Sequence, residues 1–215
     1  MGRLNLKEWL SLAEPSDERL MLRVAEAAHP ESYARLMSRW EGPIHRLCFR
    51  MTGDWFRAQD LTQEVFLRLF AKRDQYRPTA RFSTYLWQIA LNLCRDDLRR
   101  DRRRREESLD RDDEDSAEGC EPLCADASPD SAAAENEDAR RVRSALMSLS
   151  PAHREVLVLR HYEDLKFREV AEVLGIPEGT VKSRSAEAMD RLAKALSPSG
   201  GDPRMKPERM ERFLL

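Results

Sequence analysis

Between Glu106 and Asp138 the sequence carries fourteen Asp and Glu against one basic residue, Arg111, a net charge of −13. Much of the remainder is Gly, Ser, Pro and Ala, so too few apolar side chains are present to offset the entropy of ordering the segment. No hydrophobic core passes through such a stretch. The 215 residues are therefore expected to form two units, 16–105 and 139–196, joined by a disordered acidic linker over 106–138. The whole chain has a net charge of −2, which leaves +11 on the rest. Near-neutrality hides two basic units, and basic surfaces attract polyanions.

Charged residues make up 35% of the chain and aromatics 7%, with eight glycines, a balance that suits an all-α fold. No run approaches the ~18 apolar residues of a membrane span, and the N-terminus has no apolar signal-peptide core. Membrane insertion is not expected. The four cysteines lack metal-ligand spacing and point to a reducing cytoplasm. Cys120 and Cys124 sit four apart inside the acidic segment with no His nearby. His29, His45, His153 and His161 are scattered, and no phosphate loop or nucleophile elbow appears. Neither a catalytic site, a metal nor a cofactor is expected. The lead-in 1–15, with Trp9, Leu10 and Leu12, and the tail 197–215, with Met210, Phe213 and Leu214, have no assigned place.

In the second unit, Phe167, Val170, Ala171 and Leu174 recur at i, i+3, i+4, i+7, one apolar face of a short helix. Gly175 ends it, because glycine takes the positive φ of a helix C-terminus, and Pro177 suits the first turn of the next helix. Val181, Met189, Leu192 and Leu196 form the seam of that helix, opposite Thr180, Ser183, Arg184, Glu187 and Arg191. Two helices across a short turn read as a helix-turn-helix, or else as an αα-hairpin in a helical core. Upstream, Val142, Leu146 and Leu149 mark one amphipathic helix, and Ser150-Pro151 opens another.

In the first unit, Ser16 caps a helix with Asp17 and Glu18 in its first turn, and a second helical pattern runs from Tyr33 to Met51. Leu61, Val65 and Leu69 place one face of the helix 58–71 in the core. The opposite stripe holds Asp60, Gln63, Glu64 and Leu67. It is either a solvated face with one tolerated leucine or a partner surface anchored by Leu67. Ser83 is expected to cap the next helix, with Phe82 and Trp87 as a hydrophobic staple. On that helix Gln88, Asn92, Arg95 and Arg99 align and run into the Arg-rich end 99–105. Beside aromatics expected to be exposed, Tyr76, Phe82 and Tyr85, this pattern suits phosphate neutralisation combined with base contact. A basic helix end also complements the helix dipole, but seven arginines exceed that purpose.

The order DLTQEVFLRLF (60–70), FSTYLWQIALNLCRDDLRR (82–100), linker, LSPAHREVLVLRHYEDLKFREVAEVLGIPEGTVKSR (149–184) resembles the bacterial RNA polymerase sigma factors of the extracytoplasmic-function type. The similarity covers about 16–105 and 140–196. It implies two helical domains. The first would bind the clamp helices of the polymerase core through Asp60, Gln63, Glu64 and Leu67, and open the −10 element. There Asn92 would read an extruded base in a pocket formed by the loop from Tyr76 to Tyr85, Ser83 included, with Gln88, Arg95 and Arg99 alongside. The second domain would read −35 duplex through Thr180, Lys182, Ser183, Arg184 and Glu187, and touch the polymerase flap. Promoter DNA, the polymerase core and an anti-sigma factor are the partner types this implies. Lys166, where the family has Ser or Thr, Glu187, where it has a basic residue, and the tail are departures. Glu187 either accepts from cytosine N4 or pairs with Arg184 or Arg191. The rival classes are a response regulator, which needs an alternating strand and helix pattern, and a DNA-cutting enzyme, which needs a carboxylate or nucleophile cluster.

Overall fold

The computed structural model describes residues 15–109 and 137–196. The lead-in, most of the acidic segment with Cys120 and Cys124, and the tail lie outside the described residues. Eight α-helices are found among the described residues, with no strand. They are α1 (Asp17–Ala27), α2 (Pro30–Thr52), α3 (Trp55–Ala71) and α4 (Phe82–Leu109), then α5 (Glu137–Ser148), α6 (Pro151–Leu157), α7 (Phe167–Leu174) and α8 (Glu178–Leu196). The all-α, two-domain expectation holds.

The first domain packs α2, α3 and α4 together, with α1 laid across α2. Capping sets these boundaries. Ser16 accepts from the Arg19 N–H at 3.4 Å, and the Asp54 carboxylate accepts from the Arg57 N–H at 2.9 Å. Helix α3 thus begins three residues before the apolar period does. Gly53, at φ +78°, ends α2 in the left-handed conformation that glycine takes freely. Leu36, Ile44, Leu47 and Met51 of α2, Val65 and Leu69 of α3, and Leu86 and Leu91 of α4 form a dry core. Each such side chain contributes roughly 1.5–3 kcal/mol by leaving water. The Tyr33 hydroxyl donates to the Phe66 carbonyl at 2.8 Å and fixes α2 against α3.

The start of α4 corrects two expectations. The helix opens at Phe82, two residues before the expected start, because the Arg81 carbonyl already accepts from Tyr85 N–H at 3.3 Å. Ser83 therefore lies within the first turn and is not the cap. The carboxylate that meets this helix end comes from α1: Glu18 accepts from the Phe82 N–H at 3.0 Å. Phe82 and Trp87 are both buried, and each meets Trp40 edge-on, at 6.1 and 5.5 Å between centroids. Trp40 stands between the two halves of the expected staple. At its far end α4 runs on to Leu109, four residues into the segment whose composition reads as linker.

In the second domain α8 packs on α6, α7 and α5. Its buried positions are Val181, Ser185, Ala188 and Leu192. Ser185 and Ala188 carry no hydrophobic signal, so the seam read from the larger residues is incomplete. Helix α6 continues into a π turn, Val158–Tyr162, and α7 ends at Gly175, with φ +66°. Lys166 leaves the capping of α7 half-made. Its N–H donates to Glu169 Oε2 at 2.9 Å, but an ammonium has no lone pair to offer in return.

The domains touch along one seam. Arg50 of α2 lies over the Tyr162 ring at 4.0 Å and pairs with Glu163 at 3.3 Å. Arg154 of α6 is 6% exposed. It donates to the carbonyls of Leu146, Met147 and Leu149 at the end of α5, and to the carbonyl of Met51 near the end of α2.

Candidate nucleic-acid interface

The outward stripe of α3 follows from its buried one. With Ala58, Leu61, Val65 and Leu69 turned to the core, the 100° period leaves Asp60, Gln63 and Leu67 facing solvent. Leu67 is 64% exposed, and Glu64 beside it pairs with Arg68 at 2.8 Å. Phe56, at the start of the same helix, is 62% exposed. These two are the large hydrophobic residues left in water among the described residues. Phe56 gave no signal in the sequence because it precedes the expected helix. It borders a groove between α3 and α4 lined also by Asp60, Arg57, Asp97 and Arg100. Across it Arg57 pairs with Asp97 at 2.5 Å and with Asp101 at 3.4 Å. Two of the three acids among the arginines of α4 are thereby held toward α3. Arg99, Arg100 and Arg102 to Arg104 remain exposed.

The aromatics of the loop and of the start of α4 are not exposed, contrary to expectation. Tyr76 and Phe82 are buried and Tyr85 is half-buried. Tyr76 meets Phe82 edge-on at 6.3 Å and Tyr85 at a tilt at 5.5 Å between centroids, so the rings take one another out of water. Burial, with the Glu18 and Tyr85 charges next, pushes the Tyr76 phenol up to about 12. These rings form a floor under the surface. The groups that face outward are polar, as expected of the stripe. Asn92 is exposed, and its Oδ1 accepts from Arg95 at 3.1 Å. Arg95 is held on both sides of its fork by Glu155 of α6, at 2.6 and 2.7 Å. Gln88 donates to the Glu172 carbonyl at 3.1 Å, and Arg99 pairs loosely with Asp96 at 3.7 Å. Ser83 is half-buried beside them.

On α8 the outward polar face expected from the period is present. Lys182 and Ser183 are exposed, and Thr180 and Arg184 are partly so. Ser183 Oγ donates to the Thr180 carbonyl at 3.1 Å, and Lys182 pairs with Glu178 at 2.7 Å. Glu187 pairs with Arg191 at 2.5 Å and with His153 Nε2 at 3.2 Å. The His153 hydrogen bond, then Arg191, holds its carboxyl below the usual range. This is the ion-pair arrangement, with His153 as a partner that the sequence did not suggest. Arg184 faces the cleft between the domains, opposite Arg95, Arg99 and Arg102.

A helix-turn-helix in one domain and an amide-arginine stripe in the other define an all-helical DNA-binding protein. The profile of Sigma-70 region 2 matches residues 36–104, and that of Sigma-70, region 4 matches residues 145–194. The ECF RNA polymerase sigma factor SigW of Bacillus subtilis is 31% identical over 173 residues, covering 77% of this chain and 89% of the relative. The RNA polymerase sigma-H factor of Pseudomonas aeruginosa is 30% identical over 188 residues, covering 87% and 97%. In fold the chain resembles CnrH, solved in complex with the cytosolic domain of CnrY, with a TM-score of 0.61, 23% identity, and 84% and 97% of the two chains covered. The chain belongs to the RNA polymerase sigma factors of the ECF type: it is a polymerase-binding factor of transcription initiation. No helix among the described residues is long and apolar enough to cross a membrane.

Proposed function

We propose that the first domain docks on the clamp helices of core polymerase through Asp60, Gln63, Glu64 and Leu67 of α3, and reads the opened −10 strand along α4. Gln88, Asn92, Arg95 and Arg99 are the groups that would meet it. Tyr76, Phe82 and Ser83 support that surface from beneath, with Tyr85 at its edge. The second domain reads −35 duplex with Thr180, Lys182, Ser183 and Arg184 and touches the flap. The protein acts in the cytoplasm as a DNA-binding factor with no catalytic role of its own. An anti-sigma factor is a further partner, as the solved complex of the sigma factor RpoE with the anti-sigma factor NepR from Bartonella quintana suggests. The observation that carries the docking assignment is Leu67, a leucine 64% exposed among acids. An isolated apolar group in water stabilises nothing in the free chain, whereas an interface uses it as an anchor.

Leu67→Asp tests this. Loss of a central anchor costs about 2 kcal/mol or more in binding, roughly a thirtyfold weaker holoenzyme. Thermal melting of the free chain should stay nearly unchanged, since the side chain is already in water. Holoenzyme that forms with wild-type affinity would overturn the assignment of the stripe.

A further inference from the structure

We propose that His153 is a positioning residue of the duplex-reading face: it holds the Glu187 carboxylate of α8 against the first turn of α6, and the proton it takes up tightens the binding of −35 duplex. This rests on the reading of α8 given above. Glu187 is exposed on the outward face of α8, within ~40° of Thr180 and Ser183 at 100° per residue. A carboxylate there faces phosphates, which repel it unless its charge is offset. Two partners offset it. Arg191 meets Oε1 at 2.5 Å from the next turn, and His153 Nε2 meets Oε2 at 3.2 Å from another helix. The ring is held on its far side as well, where Nδ1 meets Ser150 Oγ at 2.6 Å. This series of contacts, from Ser150 through His153 and Glu187 to Arg191, ties the outward face of α8 to the N-terminal turn of α6.

The hydroxyl at one end of the series decides what a proton does here. A neutral imidazole with its hydrogen on Nε2 donates to Glu187 and accepts from the Ser150 hydroxyl at Nδ1. A protonated ring donates at both nitrogens, and Ser150 Oγ then accepts. Either state keeps the same geometry, so protonation changes the charge around Glu187 and not its position. His153, Glu187 and Arg191 together carry no net charge when the ring is neutral, and one positive charge when it is protonated. The His153 side chain is 13% exposed against 53% for Glu187, so it acts on DNA through the carboxylate. Other charged groups near the ring are turned elsewhere. Arg154 donates to carbonyls of α5 and α2, Glu155 pairs with Arg95, and Arg184, one turn before Glu187, lines the cleft beside Pro151 and Ala152. Imidazole is the side chain that ordinarily changes charge between about pH 5 and pH 8. Duplex binding is therefore tighter at the acid end of that range.

The full-length chain is assembled with core polymerase as wild type, His153→Gln, His153→Ala, and His153→Ala combined with Glu187→Gln. The probe is a fluorescent duplex from a promoter that the wild-type holoenzyme transcribes, ending before the −10 element, beside the same duplex with its −35 element scrambled. In ~50 mM salt the wild type should bind about threefold more tightly near pH 5.5 than near pH 8, with the difference fading toward ~200 mM, since a charge that displaces one counterion is worth roughly that factor over that range. His153→Gln keeps a donor for Glu187 but takes up no proton, so it should stay at the wild type's alkaline affinity at both pH values. His153→Ala frees the carboxylate and should weaken binding at both, and adding Glu187→Gln should remove that loss. A wild-type pH effect no larger than that of His153→Gln would overturn the proposal, as would a loss in His153→Ala that persists with Glu187→Gln. Equal binding of native and scrambled duplex by the wild type would instead sink the reading of α8, and this inference with it. Thermal melting checks each variant; should His153→Ala fail to fold, wild type against His153→Gln across pH decides.

Discussion

Arg154 offers the sharpest test of how the second domain is held together. Its guanidinium donates to three carbonyls at the C-terminal end of α5, Leu146, Met147 and Leu149, at 3.1, 2.6 and 3.1 Å, and to Met51 at the corresponding end of α2. Two helices thus direct the negative ends of their dipoles at one buried cation. Burial lowers the arginine pKa, as desolvation of a cation must, but four charge-assisted bonds keep it in place. Arg154→Met retains the aliphatic stem and removes every donor. Hydrogen bonds to a charged group contribute ~1.5–3 kcal/mol each, and dehydrating the guanidinium takes back several kcal/mol. The net loss should be about 3–4 kcal/mol, with three orphaned carbonyls in the second domain and one in the first. Urea unfolding at pH 7 measures it as a lower midpoint. Arg154→Lys, a point charge without the fork, should recover only part of the loss. A destabilisation of Arg154→Met below about 1 kcal/mol would refute the reasoning, since the carbonyls would then be satisfied without the arginine.

Glu18 caps a helix from another element, and its bond to the Phe82 N–H is the chief cause of its lowered pKa. A depressed carboxyl stabilises the fold above its unfolded value of 4.5 and loses that contribution as pH falls through the lower folded value. Glu18→Gln should therefore cost about 0.5–1 kcal/mol at pH 7, discounted for exposure, with the gap to wild type closing below pH 4.5 in thermal melts. Because Glu187 is engaged by Arg191 and His153, site selection from random duplexes with Glu187→Arg should return the wild-type site bound more tightly. A change of preference at one base pair would show that the carboxylate reads a base.

Periodicity located the elements well where large apolar residues carry it, as in α3 with Leu61, Val65 and Leu69. It fell short where small or charged side chains are buried. Ser185 and Ala188 face the core of the second domain without any apolar weight, and Arg154 and Glu155 are buried in a helix whose apolar side is defined by Val156, Leu157 and Leu159. Glu155 is buried against Arg95, and Arg154 against Met51 as well as the nearby end of α5, and the distant partners stand in no local window. The outward stripe of α3 was legible because an exposed leucine among acids violates the pattern around it. The loop aromatics were misplaced for the opposite reason. Tyr76 and Phe82 follow polar, turn-like sequence, and their burial comes from each other and from Trp40, far away on α2, which meets Phe82.

Helix α4 has 28 residues, so at 1.5 Å each it is a rod of ~42 Å, gripped at one end and projecting at the other. Phe82, Leu86, Trp87 and Cys94 are clamped in the core, while Arg99, Arg100 and Arg102 to Arg104 stand in water. Such a rod behaves as a lever. Tilting it ~5° about Phe82 shifts the Arg95 backbone by about 1.7 Å and the tip at Leu109 by about 3.5 Å. The first displacement is enough to pull a two-pronged ion pair out of register, and buried Cys94, one residue nearer the pivot, would have to move almost as far. The handle lies between those points, where Arg57 of α3 holds Asp97 and Asp101. Any force that moves α3 is therefore delivered to the arginines as travel, and it grows toward the tip.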